Sequence, residues 1–380
     1  MAMDLRNILL SEFAGLMAHP RIARHEKRLA RLEKRSLAYI LSALRKLGWG
    51  FPCGQPFSTA EIASKMGVVN RHRELLERLL TILAENKILK KEGSLWEVIF
   101  QPEMDDTEAE TDPTSAESPE TVILKRCGSR LPEVLQGKLD PLQLLFPEGD
   151  LSSVAGVYRE CAMHISMNTL IQKLLFQASR TARIEACRIL EIGAGTGGTT
   201  ACLLPHLLPD RTEYVFTDVS PDFTAVARTK FGDYPFLRYR VLNIEQDPQK
   251  QGFENDRYDF VIAANVFHAT RDLAISLQNA RHLLAPGGFL ILMEVTTPVC
   301  WLDLTFGLTQ GWWRFDDTGL RPSYPLFPAE KWVELLNTEG FETAFSISPD
   351  DLLCPGVALG HRNVLPLSLI VGKEGPGRGR

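Results

Sequence analysis

The stretch "LEIGAGTGGTT", residues 190–200, decides the fold. An apolar run, "RILEIG", breaks into a turn with four glycines among seven residues and resumes as "GTTACLLPHLL", which has helical character. A strand feeding a glycine-rich turn and then a helix opens a nucleotide-binding α/β unit. Gly193, Gly195 and Gly198 satisfy G-x-G-x-x-G, and Asp218 follows where a ribose-binding acid belongs, so a dinucleotide site fits this turn. Two features point elsewhere. Glu191 stands inside the strand, where a dinucleotide fold wants an apolar side chain, and a carboxylate there has a use near a bound cation. Gly193, Gly195 and Gly197 also read G-x-G-x-G, which lets the backbone approach a ligand that has no pyrophosphate.

Outward from this turn, strands and helices alternate. "EYVFTD" is a second strand, "PDFTAVARTKF" a helix, and "LRYRVLN" and "YDFVIAAN" further strands. "RDLAISLQNARHLL" is a helix, followed by the turn "PGG" and the strand "FLILMEV". After an insert, the helix "PAEKWVELLNTEG" and the strand "VLPLSLIVG" complete the pattern. Such alternation predicts a doubly wound α/β sheet with ligands at the carboxyl ends of its strands. Upstream, residues 22–47 place apolar side chains at helical spacing before Gly48. Residues 57–99 read helix, turn, helix and two short strands, which resembles a winged-helix module. Arg71, Arg73 and Arg78 are interrupted there by Glu74, Glu77 and Glu85, so a packing role is expected rather than nucleic-acid binding. Residues 102–120 are acidic and almost free of large apolar groups, which predicts a mobile loop. A mostly helical segment follows, with one long amphipathic helix from Tyr158. The expected division is 1–182, an N-terminal helical, winged-helix-like lid and substrate-binding region, and 183–380, a cofactor-binding core.

Composition narrows the class. The 380 residues carry a net charge of -5, and 44% are hydrophobic and 23% charged, which is ordinary for a globular chain. No run approaches a membrane span, and the first residues lack the design of a signal peptide, so a soluble cytoplasmic protein without membrane contact is expected. The seven cysteines, Cys354 among them, have no paired spacing and predict reduced thiols. No cluster has metal-ligand spacing, and no metal is expected. Residues 21–46 hold nine Arg or Lys against two Glu, for which a solvated helix face is favoured over a docking role.

The stretch "NVFHATRD", residues 265–272, places His268 just past an apolar strand, where it could be a base, a metal ligand or part of a turn. Glu294 ends "ILMEV", the next strand in order, so both side chains emerge on one rim. An isolated carboxylate in a buried strand needs a partner, and a carboxylate on one imidazole nitrogen fixes the tautomer, leaving the other as base.

E-x-G-x-G-x-G, an acid ending the next strand and "LLAPGGFLILMEV" together resemble the class I S-adenosylmethionine-dependent methyltransferases. The resemblance implies that Glu191 serves the methionine end through its hydrogen bonds and that Asp218, followed by Val219, takes the ribose. Asn243 and Ile244 would border the adenine, and Asn265 would also face the cofactor. "YDFVIAANVFHATRDL", "NARHLLAPGGFLILMEVT", "FGLTQGWW" and, upstream, "LAYILSALRKLGW" and "LDPLQLLFP" look like the carbon-methyltransferase domains of polyketide synthases. That family implies a dyad of His268 and Glu294 enolising a β-ketoacyl thioester on an acyl carrier protein. Tyr158 would lie near the acyl chain, and Trp312 and Trp313 could line its tunnel or be ordinary core. The family commonly has aspartate where Asn243 stands, and an amide can still meet the adenine amino group. Other polyketide synthase domains are implied as partners, with the chain either an excised domain or free-standing. An O-methyltransferase acting on a carrier-bound β-hydroxy or enol oxygen, and a silent carrier-docking domain, are the alternatives. His268→Ala is expected to abolish transfer, and Glu294→Gln to lose rate less completely.

Overall fold

The computed structural model describes residues 2–102, 118–182, 184–352 and 365–376. Most of the acidic stretch expected to be a loop, and Cys354, lie outside them. The chain divides into two compact units. One takes Met1–Glu26, Tyr158–Pro298 and Arg314–Arg380, and the other takes Lys27–Val157 and Val299–Trp313. Neither is contiguous in sequence, whereas the sequence reading expects a single cut after residue 182.

The smaller unit carries the module read upstream. The helix Thr59–Met66 starts in a capping box, with Ser58 and Glu61 exchanging side-chain bonds to each other's backbone, and stops at Gly67 with φ 68°. The helix Arg73–Glu85 follows. Strands β1 (Phe57–Ser58), β2 (Leu89–Glu92) and β3 (Leu95–Val98) form an antiparallel sheet in the order β1-β3-β2. The short β1 is an addition to the two expected strands. Arg78 is buried and paired with Asp303 and Glu85, at 2.9 and 2.8 Å, so it belongs to the interior and not to a basic face.

The larger unit contains a seven-stranded sheet. Its strands are β4 (Cys187–Ile192), β5 (Thr212–Asp218), β6 (Leu237–Val241), β7 (Tyr258–Ala264), β8 (Leu284–Val295), β9 (Thr343–Ile347) and β10 (Leu367–Lys373). The order is β6-β5-β4-β7-β8-β10-β9. The pairings from β6 through β8 are parallel, while β10 runs antiparallel to both β8 and β9. Strand order reverses between β4 and β7, so the crevice for a ligand opens at the carboxyl ends of those two strands.

The strands are legible as apolar runs because the sheet is covered on both faces. Phe260, Val261, Ile262 and Ala263 are all fully buried. On one face Leu190, Val215, Val261, Leu290 and Ile370 pack against Leu273, Leu277, Trp332 and Leu336 from the helices Leu273–His282 and Ala329–Thr338. Each such side chain contributes roughly 1.5–3 kcal/mol on leaving water. Asp272, the last residue of "NVFHATRD", caps the first of these helices by accepting from the Ile275 N–H at 2.9 Å.

Three elements differ from the sequence reading. The long helix expected from Tyr158 is two, Ser152–Glu160 and Ala162–Ala182, interrupted at Cys161. β8 starts five residues before the expected "FLILMEV" and runs through "PGG", where Gly287 takes φ 77°. β9 was not expected, although the alternating Thr, Phe and Ile of "TAFSI" favour a strand; it lies at the sheet edge and pairs with β10. Among the described residues no helix is long and apolar enough to cross a membrane, and no cysteine is in a disulfide.

Candidate active site

The glycine loop joins β4 to the helix Gly198–Leu203. Gly193, Gly195 and Gly197 have φ 60°, 53° and 74°, the left-handed region that a side chain resists. Their surroundings differ. A Cβ on Gly193 would meet Val266 at 2.6 Å, and one on Gly197 would meet the Phe231 ring at 2.6 Å, so these two serve close packing. A Cβ on Gly195 would meet nothing nearer than the Gly193 carbonyl at 3.9 Å, so only this glycine leaves the loop open to a ligand.

The acids take up the loop's polar groups. Asp218 ends β5 and accepts from the Gly195 and Ser220 N–H groups, each at 2.9 Å, while burial pushes its carboxyl above the usual range. Two bonds leave a carboxylate further acceptor positions, which fits a diol. Val219 follows, 62% exposed, an apolar side chain beside that acid. Glu191 is fully buried and accepts from the hydroxyls of Thr200 and Tyr214, the latter at 2.7 Å. Burial raises its pKa to about 7, against the pull of those hydroxyls. Glu191 is thus poised for a positive charge nearby.

Asn243 is held in a closed turn. Its side-chain oxygen accepts from the Glu245 N–H at 3.0 Å, and Gln251 pairs with its backbone in both directions, at 2.8 and 2.9 Å. The Ile244 side chain faces the core, and its carbonyl accepts from Asn279 at 2.8 Å. The residues present therefore fit a nucleoside with a cationic tail: an open glycine, an acid with spare acceptors, an exposed apolar flank and a buried carboxyl of raised pKa.

His268 and Glu294 meet. β7 and β8 are parallel neighbours in register through Ala264 and Met293, so both chains leave the sheet at the same rim. His268 Nδ1 lies 2.6 Å from Glu294 Oε2. The other carboxylate oxygen, Oε1, accepts from the Val266 and Phe267 N–H groups at 2.9 and 2.8 Å. The Glu294 side chain is wholly buried and that of His268 is 11% exposed. The carboxylate thus clamps the loop that carries the histidine while fixing its ring, which leaves Nε2 as the basic nitrogen. Val266, against Gly193, ties this loop to the glycine turn.

Two surrounding residues, Arg321 and His164, escaped the sequence reading, which singled out Asn265, Tyr158, Trp312 and Trp313. Arg321 is buried beneath the loop and donates to the carbonyls of His268, Thr270 and Arg271 at 2.9, 2.7 and 3.1 Å, and to Asp317 Oδ1 at 2.7 Å. Asn265 adopts φ 56°. Its oxygen accepts from the Val295 N–H at 3.2 Å, and its nitrogen lies 3.1 Å from His164 Nε2. Tyr158 packs edge-on to His164, with ring centroids 5.2 Å apart. Burial and the nearby Glu294 charge raise its pKa to about 12. Arg321 stood in an unread insert and His164 in a helix valued only for its periodicity, and no local signal marked either. Trp312 and Trp313 belong to the other unit, buried in the turn Gln310–Trp313, with Trp313 Nε1 donating to the Gly307 carbonyl at 2.8 Å.

A family model described as a methyltransferase domain matches residues 190–290. The crystal structure of the CurJ carbon methyltransferase is 39% identical, covers 98% of each chain and superposes with a TM-score of 0.88. The citrinin polyketide synthase CMeT domain is 28% identical, covers 98% of this chain and 97% of that one, and gives 0.80. The non-reducing polyketide synthase mapC of Penicillium roqueforti (strain FM164) is 36% identical over 318 residues, 80% of this chain but only 12% of that protein.

Proposed function

Because the chain belongs to the carbon-methyltransferase domains of polyketide synthases, a branch of the S-adenosylmethionine-using methyltransferases, we propose that it methylates the α-carbon of a β-ketoacyl thioester carried by an acyl carrier protein. The observation that carries this reading is the pair His268 Nδ1 and Glu294 Oε2 at 2.6 Å, with Glu294 buried and its other oxygen bonded to the histidine's own loop.

Gly195, Asp218, Val219, Asn243 and Asn265 would hold S-adenosylmethionine, with Glu191 compensating its ammonium. The cofactor supplies an electrophilic methyl group, and the carbon–sulfur electron pair stays on sulfur. The chain's own residues prepare the carbon. A hydrogen between two carbonyls is acidic enough for an imidazole to remove. His268 Nε2 takes that proton, the C–H pair passes into the enolate, and Glu294 stabilises the imidazolium through Nδ1. The enolate carbon then forms the new carbon–carbon bond. Fixing the ring beforehand gives the dyad its advantage, since a displacement tolerates little misalignment.

The test incubates the chain with S-adenosylmethionine and a 3-oxobutanoyl carrier protein, and locates the added methyl by mass spectrometry and NMR. A methyl on the α-carbon is expected. A methyl on oxygen would overturn the reading in favour of O-methylation, and normal cofactor binding with no turnover would leave only a docking domain.

A further inference from the structure

His164 lies 101 positions from Asn265 in the chain and touches it in the fold. The contact fixes more than position. Asn265 Oδ1 accepts from a backbone N–H, that of Val295, which cannot act as an acceptor, so the amide cannot be turned round. The nitrogen facing His164 is therefore the NH₂ group, a donor, and His164 Nε2 must accept. A neutral imidazole that accepts at Nε2 carries its proton on Nδ1. Burial keeps the ring neutral, lowering its pKa to about 4. His164 Nδ1 is itself buried and has no hydrogen-bond partner among the described residues.

A buried donor left unmade costs about 1–3 kcal/mol, and folded proteins seldom tolerate one without a reason. The surroundings indicate the reason. The imidazole is flanked by Asn265, three positions before His268, and by Tyr158, whose hydroxyl feels the Glu294 charge. A Cβ on Gly198, at the end of the glycine loop, would meet the Tyr158 Cβ at 3.4 Å. The orphan donor thus belongs to the same corner as the dyad and the cofactor loop.

Carbon methylation is helped by a donor there. As His268 removes the α-proton, negative charge develops on the carbonyl oxygen, and His268 cannot both take the proton and hold that oxygen. A donor aimed at the developing charge, already desolvated and unable to lose its proton, is the arrangement that lowers such a barrier. Neutral histidine serves as the electrophile in other enolising enzymes for this reason. The carboxylate of a cofactor, charged throughout, would be better matched by a cation than by an uncharged imidazole.

We propose that His164 is a further catalytic residue, its Nδ1–H donating to the substrate oxygen that becomes the enolate oxyanion. This rests on the carbon-methylation reading. The experiment compares His164→Phe, His164→Asn and His164→Gln using the full chain, S-adenosylmethionine and the 3-oxobutanoyl carrier protein. Asparagine can set its NH₂ near the Nδ1 position, while glutamine reaches only the Nε2 position. His164→Phe should lose about 10²–10³ in kcat, the usual effect of removing one oxyanion donor. His164→Asn should retain most of the rate, and His164→Gln should resemble phenylalanine. The affinity for S-adenosylhomocysteine, read by calorimetry, should stay within about threefold in all three, because the lost interaction belongs to the transition state.

A His164→Phe rate within about threefold of the unsubstituted chain would overturn the proposal. So would equal losses in asparagine and glutamine, which mark a packing role, or a fall in homocysteine-adduct affinity that matches the fall in rate, which assigns the donor to the cofactor. Should the phenylalanine variant fail to fold, the asparagine and glutamine pair decides. The site of methylation by the unsubstituted chain tests the functional reading separately, so the two failures are distinguishable.

Discussion

Replacing Glu294 by glutamine separates the two tasks this carboxylate performs. Its three bonds run from Oε1 to the Val266 and Phe267 N–H groups and from Oε2 to His268 Nδ1. A glutamine oxygen in the Oε1 position keeps both backbone bonds. Its NH₂ then faces Nδ1 and donates, so Nδ1 must accept and the imidazole proton moves to Nε2, the nitrogen meant to act as base. Enforcing the wrong tautomer in a carboxylate–histidine pair costs on the order of 10⁴ in kcat, and a loss of about 10³–10⁴ is expected here. The sequence reading ranks this substitution as milder than His268→Ala, but the bonding pattern makes the two comparable.

Stability should change much less. Each bond weakens by roughly 1 kcal/mol when the acceptor loses its charge, while relief from burying a charge offsets several kcal/mol, so the net lies within about 2 kcal/mol. Glu294→Ala instead strands three buried donors at about 1–3 kcal/mol each, a sum comparable to the whole stability of a domain. Single-turnover methyl transfer, thermal unfolding and S-adenosylhomocysteine calorimetry on the glutamine variant make the check. A folded Glu294→Gln chain with normal cofactor affinity and a rate within about tenfold of the original would refute the tautomer argument.

Three other outcomes follow from the site. Glu191 has its pKa raised by burial from 4.5 to about 7, so between these values the folded chain holds a proton that the unfolded chain has lost. Stability from this group is fully present below pH 4.5 and falls as pH rises to 7, by up to roughly 3 kcal/mol. The unfolding temperature of Glu191→Gln relative to the original should therefore rise between pH 4.5 and 8, and a difference that does not vary with pH would contradict this. Gly195→Ala has space but the wrong φ, so it should cost about 1 kcal/mol in urea unfolding while S-adenosylhomocysteine affinity falls at least about tenfold. Unchanged affinity would remove this glycine from the cofactor cradle. Arg321→Met strands Asp317 and the carbonyls beneath His268, which should cost about 3–5 kcal/mol, and adding Asp317→Asn should recover part of it. Additive losses in denaturant titrations would show that the pair is uncoupled.

Much of the larger unit was legible because its signals are local. Strands buried on both faces read as unbroken apolar runs, and "LEIGAGTGGTT" announces a turn that only glycine backbone can make. The pairing of His268 with Glu294 was also within reach, since successive parallel strands place their carboxyl ends on one rim. The glycines were legible as a set but not by task, since Val266 and Phe231, distant in sequence, decide that Gly193 and Gly197 serve packing. β9 was missed although its Thr, Phe and Ile favour a strand, because a five-residue run is a short signal and its partner β10 lies beyond the local sequence.

Chain order and residue type alone sufficed for the parallel strands, the glycine turn, the acids in and after its strands and the meeting of His268 with Glu294, since each depends on spacing within a few residues or on adjacent strands. Packing between distant segments decided which proton sits on which nitrogen. Val295 orients Asn265, Asn265 sets the tautomer of His164, and Arg321 supports the loop of His268 from more than fifty residues away. Hydrogen-bond direction is a property of the neighbours that folding brings together, so no reading of "YRECAMHISMN" or "DDTGLRPS" in isolation contains it.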